Sequence, residues 1–200
     1  MVTLRLSQDP AADALLSDDP LALLLGMLLD QQIPMEKAFR GPYVLAERLG
    51  RLTAEALADA DDLAELFART PAIHRFPASM AGRVQELCRY LVSEYGGRAE
   101  AVWEDVATGK ELLARLEALP GFGTQKAQIF VALLGKQLQV RPRGWRQAAG
   151  SYGEAGVLRS VADVDGPETL LKVRAYKQSV KAAAKAKKAG PAAAGETGAG

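Results

Sequence analysis

The stretch Leu119-Pro-Gly-Phe-Gly-Thr-Gln-Lys-Ala127 separates two segments whose apolar residues recur at helical spacing. Pro120 ends the first helix, because proline lacks an N–H group and disfavours the helical conformation of the residue before it. Gly121 and Gly123 can adopt positive φ angles, and Thr124 is placed to cap the second helix. The stretch therefore predicts two helices joined by a short, glycine-rich turn.

The start of the second helix carries backbone N–H groups that have no intrahelical acceptor. These groups and the positive end of the helix dipole favour a bound anion, so the turn is suited to hold a phosphate. A corner between two helices that binds no ligand fits the same residues. The turn alone leaves both interpretations open.

A second polar feature follows an apolar segment. The apolar residues between Leu21 and Leu29 predict a buried helix from Leu21 to about Gln32, which is too short to cross a bilayer. Asp30-Gln31-Gln32 then places polar side chains abruptly at the end of this helix. The glutamines fit either a solvated helix end or a functional loop.

Together these residues resemble a known family. The turn 119–124, with Ala127, resembles the hairpin of the helix-hairpin-helix DNA glycosylases, the endonuclease-III-like superfamily, and the Gln31–Gln32 segment resembles a glutamine-containing segment of that family. The resemblance extends from about Pro20 to about Gly135. It implies an all-α fold of two helical lobes, which the abundance of alanine and leucine also favours. A six-helix barrel would comprise residues 30–135 and contain the helix-hairpin-helix motif at 119–127. Residues 1–29 and 136–188 would form the second lobe, and 189–200 a disordered tail.

The resemblance also implies a mode of DNA binding. In the family, the hairpin amides, often with a bound monovalent cation, hold a phosphate beside a flipped-out nucleotide. A side chain from the glutamine segment fills the gap in the base stack. The resemblance implies that this cation would lie at the backbone of Leu119 and Gly121. The implied DNA contacts are Gln31, Gln32, Leu119, Gly121, Phe122, Gly123, Thr124, Gln125 and Lys126.

The catalytic residues of the family are not all present. Members that cleave the glycosidic bond carry an aspartate after the hairpin helix, where this chain has Arg141-Pro142-Arg143. Bifunctional members carry a nucleophilic lysine where this chain has Gln125, and Lys126 would face elsewhere because one residue turns about 100° around a helix. We therefore expect no AP lyase activity. Asp30 is the remaining candidate for a catalytic carboxylate, with a structural role at the helix end as the alternative.

Basic residues follow the second helix of the turn. Arg141, Arg143 and Trp145 lie in a basic segment at 136–146, and cations beside an aromatic suit phosphates and exposed bases. Burial of Trp145 in the core is the alternative. The last helix, from Pro167 to about residue 188, is rich in lysine and would add salt-sensitive affinity for DNA.

Composition limits the classes of protein. The chain has 200 residues, a formal net charge of +1, one cysteine and one histidine. A single cysteine excludes an internal disulfide and an all-cysteine iron–sulfur cluster, so no cofactor is expected apart from the monovalent cation. The absence of a long apolar run predicts no membrane association and a cytoplasmic protein. The resemblance to the DNA glycosylases implies a nucleoid-associated monomer.

The leading hypothesis is a base-excision-repair protein that binds damaged double-stranded DNA and flips out a modified base. It would release that base by N-glycosidic hydrolysis, as a monofunctional DNA glycosylase. The alternatives are a lesion- or structure-recognition protein without catalysis and a helical module with another partner.

Overall fold

The computed structural model describes residues 3–189 and is all-α. Ten α-helices within this range are joined by turns and three short 3₁₀ segments. The helices are α1 Pro10–Asp18, α2 Pro20–Leu29, α3 Met35–Leu49, α4 Ala54–Asp59, α5 Leu63–Ala68, α6 Pro77–Tyr95, α7 Gly109–Glu117, α8 Thr124–Gln137, α9 Trp145–Ala148 and α10 Pro167–Ala189. The all-α expectation is confirmed.

Helix α2 lies at the centre of the molecule. Every residue from Leu21 to Leu29 is buried, as its apolar composition predicts. Asp19 caps the helix, because its side chain accepts the N–H groups of the two residues after Pro20. Helix α3 packs closely on α2 at Gly26, where an added Cβ would lie 2.6 Å from the ring of Phe39.

Two helices differ from what local patterns predict. A break near Gly41-Pro42 is expected, but α3 continues through Pro42. Buried Phe39 and Leu45 on either side pack into the core and offset the hydrogen bond that proline removes. Helix α6 begins at Pro77 rather than after Ser79, because the first helical position needs no N–H donor.

The turn between α7 and α8 uses only one of its two glycines for a positive φ angle. Gly121 has a φ of 83°. Gly123 has a φ of −89°, an extended conformation that any residue adopts, and it occupies the cap position of α8. Thr124 is therefore the first residue of α8, and the prediction that it caps the helix is wrong.

Trp145 packs against the C-terminal end of α8 at Gly135. Its side chain is buried, and an added Cβ at Gly135 would lie 2.3 Å from the indole ring. The Nε of Arg141 donates a 2.7 Å hydrogen bond to the Gly135 carbonyl. Trp145 is therefore a core residue, as the alternative interpretation of the basic segment expects, and a contact of this segment with DNA stays a prediction.

The buried side chains form one continuous cluster from Leu4 to Val173. This cluster does not by itself divide the chain, so the two-lobe arrangement stays a prediction. The predicted disordered tail, apart from Ala189 at the end of α10, lies outside the described residues. None of the described helices is both long and apolar enough to cross a membrane.

Replacing Gly135 with alanine tests the contact between α8 and Trp145. The new methyl group would overlap the indole ring, so we expect Gly135→Ala to lower the free energy of unfolding by about 1–3 kcal/mol. Gly82→Ala is the matched control. Gly82 lies within α6 with no atom within 4 Å of an added Cβ, so alanine there should stabilise by about 0.5–1 kcal/mol. Urea unfolding measures both, and equal effects would contradict the packing described.

Candidate nucleic-acid interface

Lys126 joins the first turn of α8 to the end of α2. Its ammonium donates hydrogen bonds to the carbonyl oxygens of Met27 (2.6 Å) and Leu28 (2.9 Å). The last carbonyls of a helix have no intrahelical partner and carry its negative dipole end, so a cation is favoured there. Burial lowers the pKa of Lys126 to about 8, although the charge of Asp30 opposes the shift. Lys126 is thus bound within the protein by two hydrogen bonds, and its contact with DNA stays a prediction.

The glycine turn (residues 118–123) packs directly on the same helix end. An added Cβ at Gly121 would lie 2.5 Å from Cδ1 of Leu28. The side chains of Leu119 and Phe122 are buried, so the predicted contacts of these two residues with DNA would come from their backbone. The exposed part of the turn is its backbone at Gly121 and Gly123, followed by the exposed residues Thr124 and Gln125.

The start of α8 retains free N–H groups. Gly123 has no side chain, and within the described residues no side chain caps this helix. The amide of Gln125 donates a 2.8 Å hydrogen bond to the hydroxyl of Tyr152, which directs this side chain away from the N–H groups. The turn therefore presents backbone donors at a positive helix end.

Gln31 lies beside the glycine turn and is held by four hydrogen bonds, one of which its backbone N–H donates to the Leu29 carbonyl at 2.7 Å. Its side-chain amide donates to the carbonyl of Leu28 at 2.7 Å, and its Oε1 accepts from Arg83 at 2.6 Å. Its backbone carbonyl is 2.9 Å from Nε2 of His74. Gln31 is thus built into the end of α2.

Gln32 differs from its neighbour. Its side chain is exposed and forms no hydrogen bond within residues 3–189. Its backbone has a φ of 57°, a left-handed conformation that is uncommon outside glycine. The glutamine loop (residues 30–34) therefore presents one free amide side chain next to the glycine turn.

His74 contacts the backbone of the glutamine loop at the Gln31 carbonyl. It is buried, and its Nδ1 accepts the N–H of Phe76 at 3.1 Å. Burial lowers the pKa of His74, so the neutral ring with a proton on Nε2 serves both partners. The single histidine of the chain therefore has a structural role at this loop.

A neighbouring aromatic was not singled out by sequence reasoning. Phe76 is 42% exposed, and the guanidinium of Arg75 lies 4.7 Å from its ring centre. The ring centre of His74 is 6.1 Å away, so this exposed pair adjoins the glutamine loop. In the sequence, only the pattern Arg-Phe-Pro before a helix could have indicated an exposed aromatic at this position.

The acids near the loop face cations of α10. The carboxylate of Asp30 is 3.8 Å from Nζ of Lys177, and Glu36 forms an ion pair with Arg174. Asp30 retains 17% side-chain exposure. The predicted candidate carboxylate therefore lies at the edge of the loop, between the ammonium groups of Lys177 and Lys126.

Arg141, Pro142 and Arg143 lie at the opposite end of α8 from the glycine turn. Nine residues separate Lys126 from Gly135, which corresponds to about 14 Å along the helix axis. Both arginines are exposed and accessible to phosphate. The nearby acid Asp163 is buried, pairs with Lys136 at 2.5 Å and closes a 3₁₀ turn, so its role is structural.

No protein-family model, curated protein or solved structure matches the chain. Within the described residues, no group of three or more histidine, cysteine, aspartate or glutamate side chains is arranged to hold a metal ion.

The lowered pKa of Lys126 predicts a pH-dependent stability. Its value falls from an ordinary 10.5 in the unfolded chain to about 8 in the folded protein. Between these values the unfolded chain binds more protons, so the contribution of Lys126 to the free energy of unfolding rises with pH. We expect wild-type stability to rise by about 3 kcal/mol relative to Lys126→Met between pH 8 and 10.5.

Chemical denaturation across this pH range measures the difference between the two proteins. Lys110→Met is the control, because Lys110 is an exposed lysine on α7. Its stability should follow that of the wild type with a constant offset. Parallel curves for Lys126→Met and the wild type would show that the ammonium is not buried.

Proposed function

We propose that this protein binds double-stranded DNA and extrudes a damaged base, with the glycine turn and the glutamine loop acting as one unit. The observation that carries this proposal is the contact of Lys126 with the carbonyls of Met27 and Leu28. That contact joins two segments, distant in sequence, that both resemble parts of the DNA glycosylases.

The backbone of the glycine turn supports a role in phosphate binding. Free N–H groups at the start of α8 can donate to one phosphate oxygen, and the helix dipole favours its charge. The implied monovalent cation would be held by backbone carbonyls, the donor type that such ions accept. The Leu119 carbonyl accepts the N–H of Phe122 at 3.0 Å and retains a second lone pair, so it fits that role.

The surroundings of the glutamine loop also suit DNA. Arg75, Arg83 and Lys177 are exposed or half-buried cations beside it, and Phe76 offers a ring on which an unpaired base can stack. Exposed lysines continue along α10 at Lys172, Lys181 and Lys185. Affinity should therefore fall steeply with salt.

Asp30 is the carboxylate that we assign to base excision. Cleavage of the glycosidic bond develops positive charge on the sugar, which a nearby carboxylate stabilises. Because Asp30 lies between two lysines, part of its negative charge is neutralised. This favours a second candidate function, lesion recognition without excision.

Variants of Gly123 test the phosphate contact. Its φ of −89° and the open space around it permit a side chain, so Gly123→Ala and Gly123→Glu should both fold. The glutamate would repel a phosphate at the start of α8, and we expect its affinity for an abasic duplex to fall by about tenfold or more. Fluorescence anisotropy measures binding, with Gly123→Ala as the control. Equal affinities for the two variants would exclude the turn as the phosphate site.

A panel of damaged duplexes separates excision from recognition alone. Duplexes carrying uracil, 8-oxoguanine, hypoxanthine or 7-methylguanine are incubated with the protein, and released bases are measured by mass spectrometry. We expect weak or no release of neutral bases and preferential release of 7-methylguanine, whose cationic ring leaves with less assistance. Asp30→Asn should slow that release by about 100-fold. Rapid uracil release that does not depend on Asp30 would contradict this assignment. Tight binding without release of any base would favour lesion recognition without excision.

A further inference from the structure

The second half of α10 extends beyond the body of the protein. Leu170 and Val173 anchor the first half of the helix in the core, where both side chains are buried. From residue 178 to residue 186 every side chain is exposed. This segment, the free half of α10 (residues 178–186), corresponds to about 13 Å of helix. It therefore presents its surface to solvent on all sides.

Four cations of α10 lie in one row along the helix. The row consists of Arg174, Lys177, Lys181 and Lys185, which follow one another at intervals of three, four and four residues. With about 100° of rotation per residue, all four lie within about 80° of the helix circumference, and we call them the cation row. Glu168 is the only acid of α10, and it pairs with Lys172 on the opposite side of the helix. No carboxylate of α10 therefore interrupts the cation row.

The cation row begins at the glutamine loop. Arg174 pairs with Glu36, and Nζ of Lys177 lies 3.8 Å from the Asp30 carboxylate. The first two cations of the row therefore have acids of the body beside them. The other two, on the free half of α10, form no ion pair within the part of the chain that the structure describes. The unbalanced positive charge of the row thus leads away from the glutamine loop.

The composition of the free half suits a polyanion better than an apolar protein surface. Val180 is its one large apolar side chain, and the other residues are glutamine, serine, alanine and lysine. It therefore has no apolar stripe with which to pack on a protein. Like charges four residues apart on a helix repel one another, and neighbouring phosphates would relieve this repulsion.

The cation row also has the dimensions of a contact with duplex DNA. Lys177 and Lys185 are eight residues apart, which corresponds to about 12 Å along the helix axis. Each strand of a duplex carries one phosphate per about 3.4 Å of axis, so this distance spans about three to four base pairs. Because the row starts at the glutamine loop, it can reach the duplex on one side of that loop only.

We propose that the cation row binds the phosphates of the duplex on one side of the damaged base, so that the protein needs more duplex on that side than on the other. This inference rests on the proposed function, because it concerns DNA that continues from the same site. It goes beyond a general attraction between α10 and DNA, because it fixes where along the duplex the contact lies.

Duplexes of equal length and charge test this inference. They carry an abasic analogue at the centre, near one end or near the other end, and fluorescence anisotropy measures the affinity of the full chain for each. The wild type should bind one of the two end placements about tenfold more weakly than the other, because there the lysines of the free half have no phosphates to contact.

The variant Lys181→Gln/Lys185→Gln is compared with Lys110→Gln/Lys172→Gln, which removes the same charge from exposed lysines outside the row. Glutamine keeps the helix propensity of lysine, so both variants should fold. Only the first variant should bind the two end placements equally. On the central placement, between about 50 and 200 mM salt, it should also lose about tenfold less affinity than the control, because two phosphate contacts are missing.

The outcomes separate this inference from the proposed function. Abasic duplexes bound no more tightly than undamaged duplex would overturn the proposed function and this inference with it. Tighter binding of abasic duplexes, with equal affinities for the two end placements, would overturn this inference alone. So would an end preference that persists in Lys181→Gln/Lys185→Gln. Equal affinities of the two variants for every placement would show that the row serves another acidic partner, which would also overturn it.

Discussion

The hydrogen bonds of Lys126 with the end of α2 are the contact on which the candidate site depends. The final carbonyls of a buried helix need donors, and the ammonium supplies them at 2.6 and 2.9 Å. Burial of the charge opposes this contact, as the pKa of about 8 indicates, and the Phe122 ring 5.7 Å away partly offsets that cost. The contact fixes the start of α8 against the loop that follows α2. The glycine turn and the glutamine loop therefore keep a constant spacing.

Local sequence predicted the parts of the fold that local interactions determine. The burial of residues 21–29 and the start of the long basic helix at Pro167 agree with the sequence, although α2 ends at Leu29 rather than near Gln32. Features that depend on distant residues were not predictable in this way. The partners of Lys126 are 98 and 99 residues away, and a single sequence contains no signal that pairs them. Trp145 likewise resembles a surface aromatic among arginines until Gly135 brings α8 against its ring.

In the candidate site, too, the features set by local sequence were predictable and those set by distant residues were not. Its two segments could be found from the sequence, because glycines, a proline and paired amides are unusual at those positions. The unequal environments of Gln31 and Gln32 could not be predicted, because two identical neighbouring residues differ only in their contacts with the distant residues Arg83 and His74. Phe76 was also missed, because exposure of an aromatic depends on how the connector 70–76 folds back.

The complete burial of α2 has a consequence for motion. Its amides are bonded within the helix and shielded on all sides, so exchange with solvent deuterium requires global unfolding of the chain. The glutamine loop begins at the last residue of this slowly exchanging unit, whereas its tip at Gln32 is exposed and unbonded. A sharp step in amide protection should therefore fall within three residues of chain, between Leu29 and Gln32. The loop therefore presents an exposed tip on a base whose amides open only with the whole molecule.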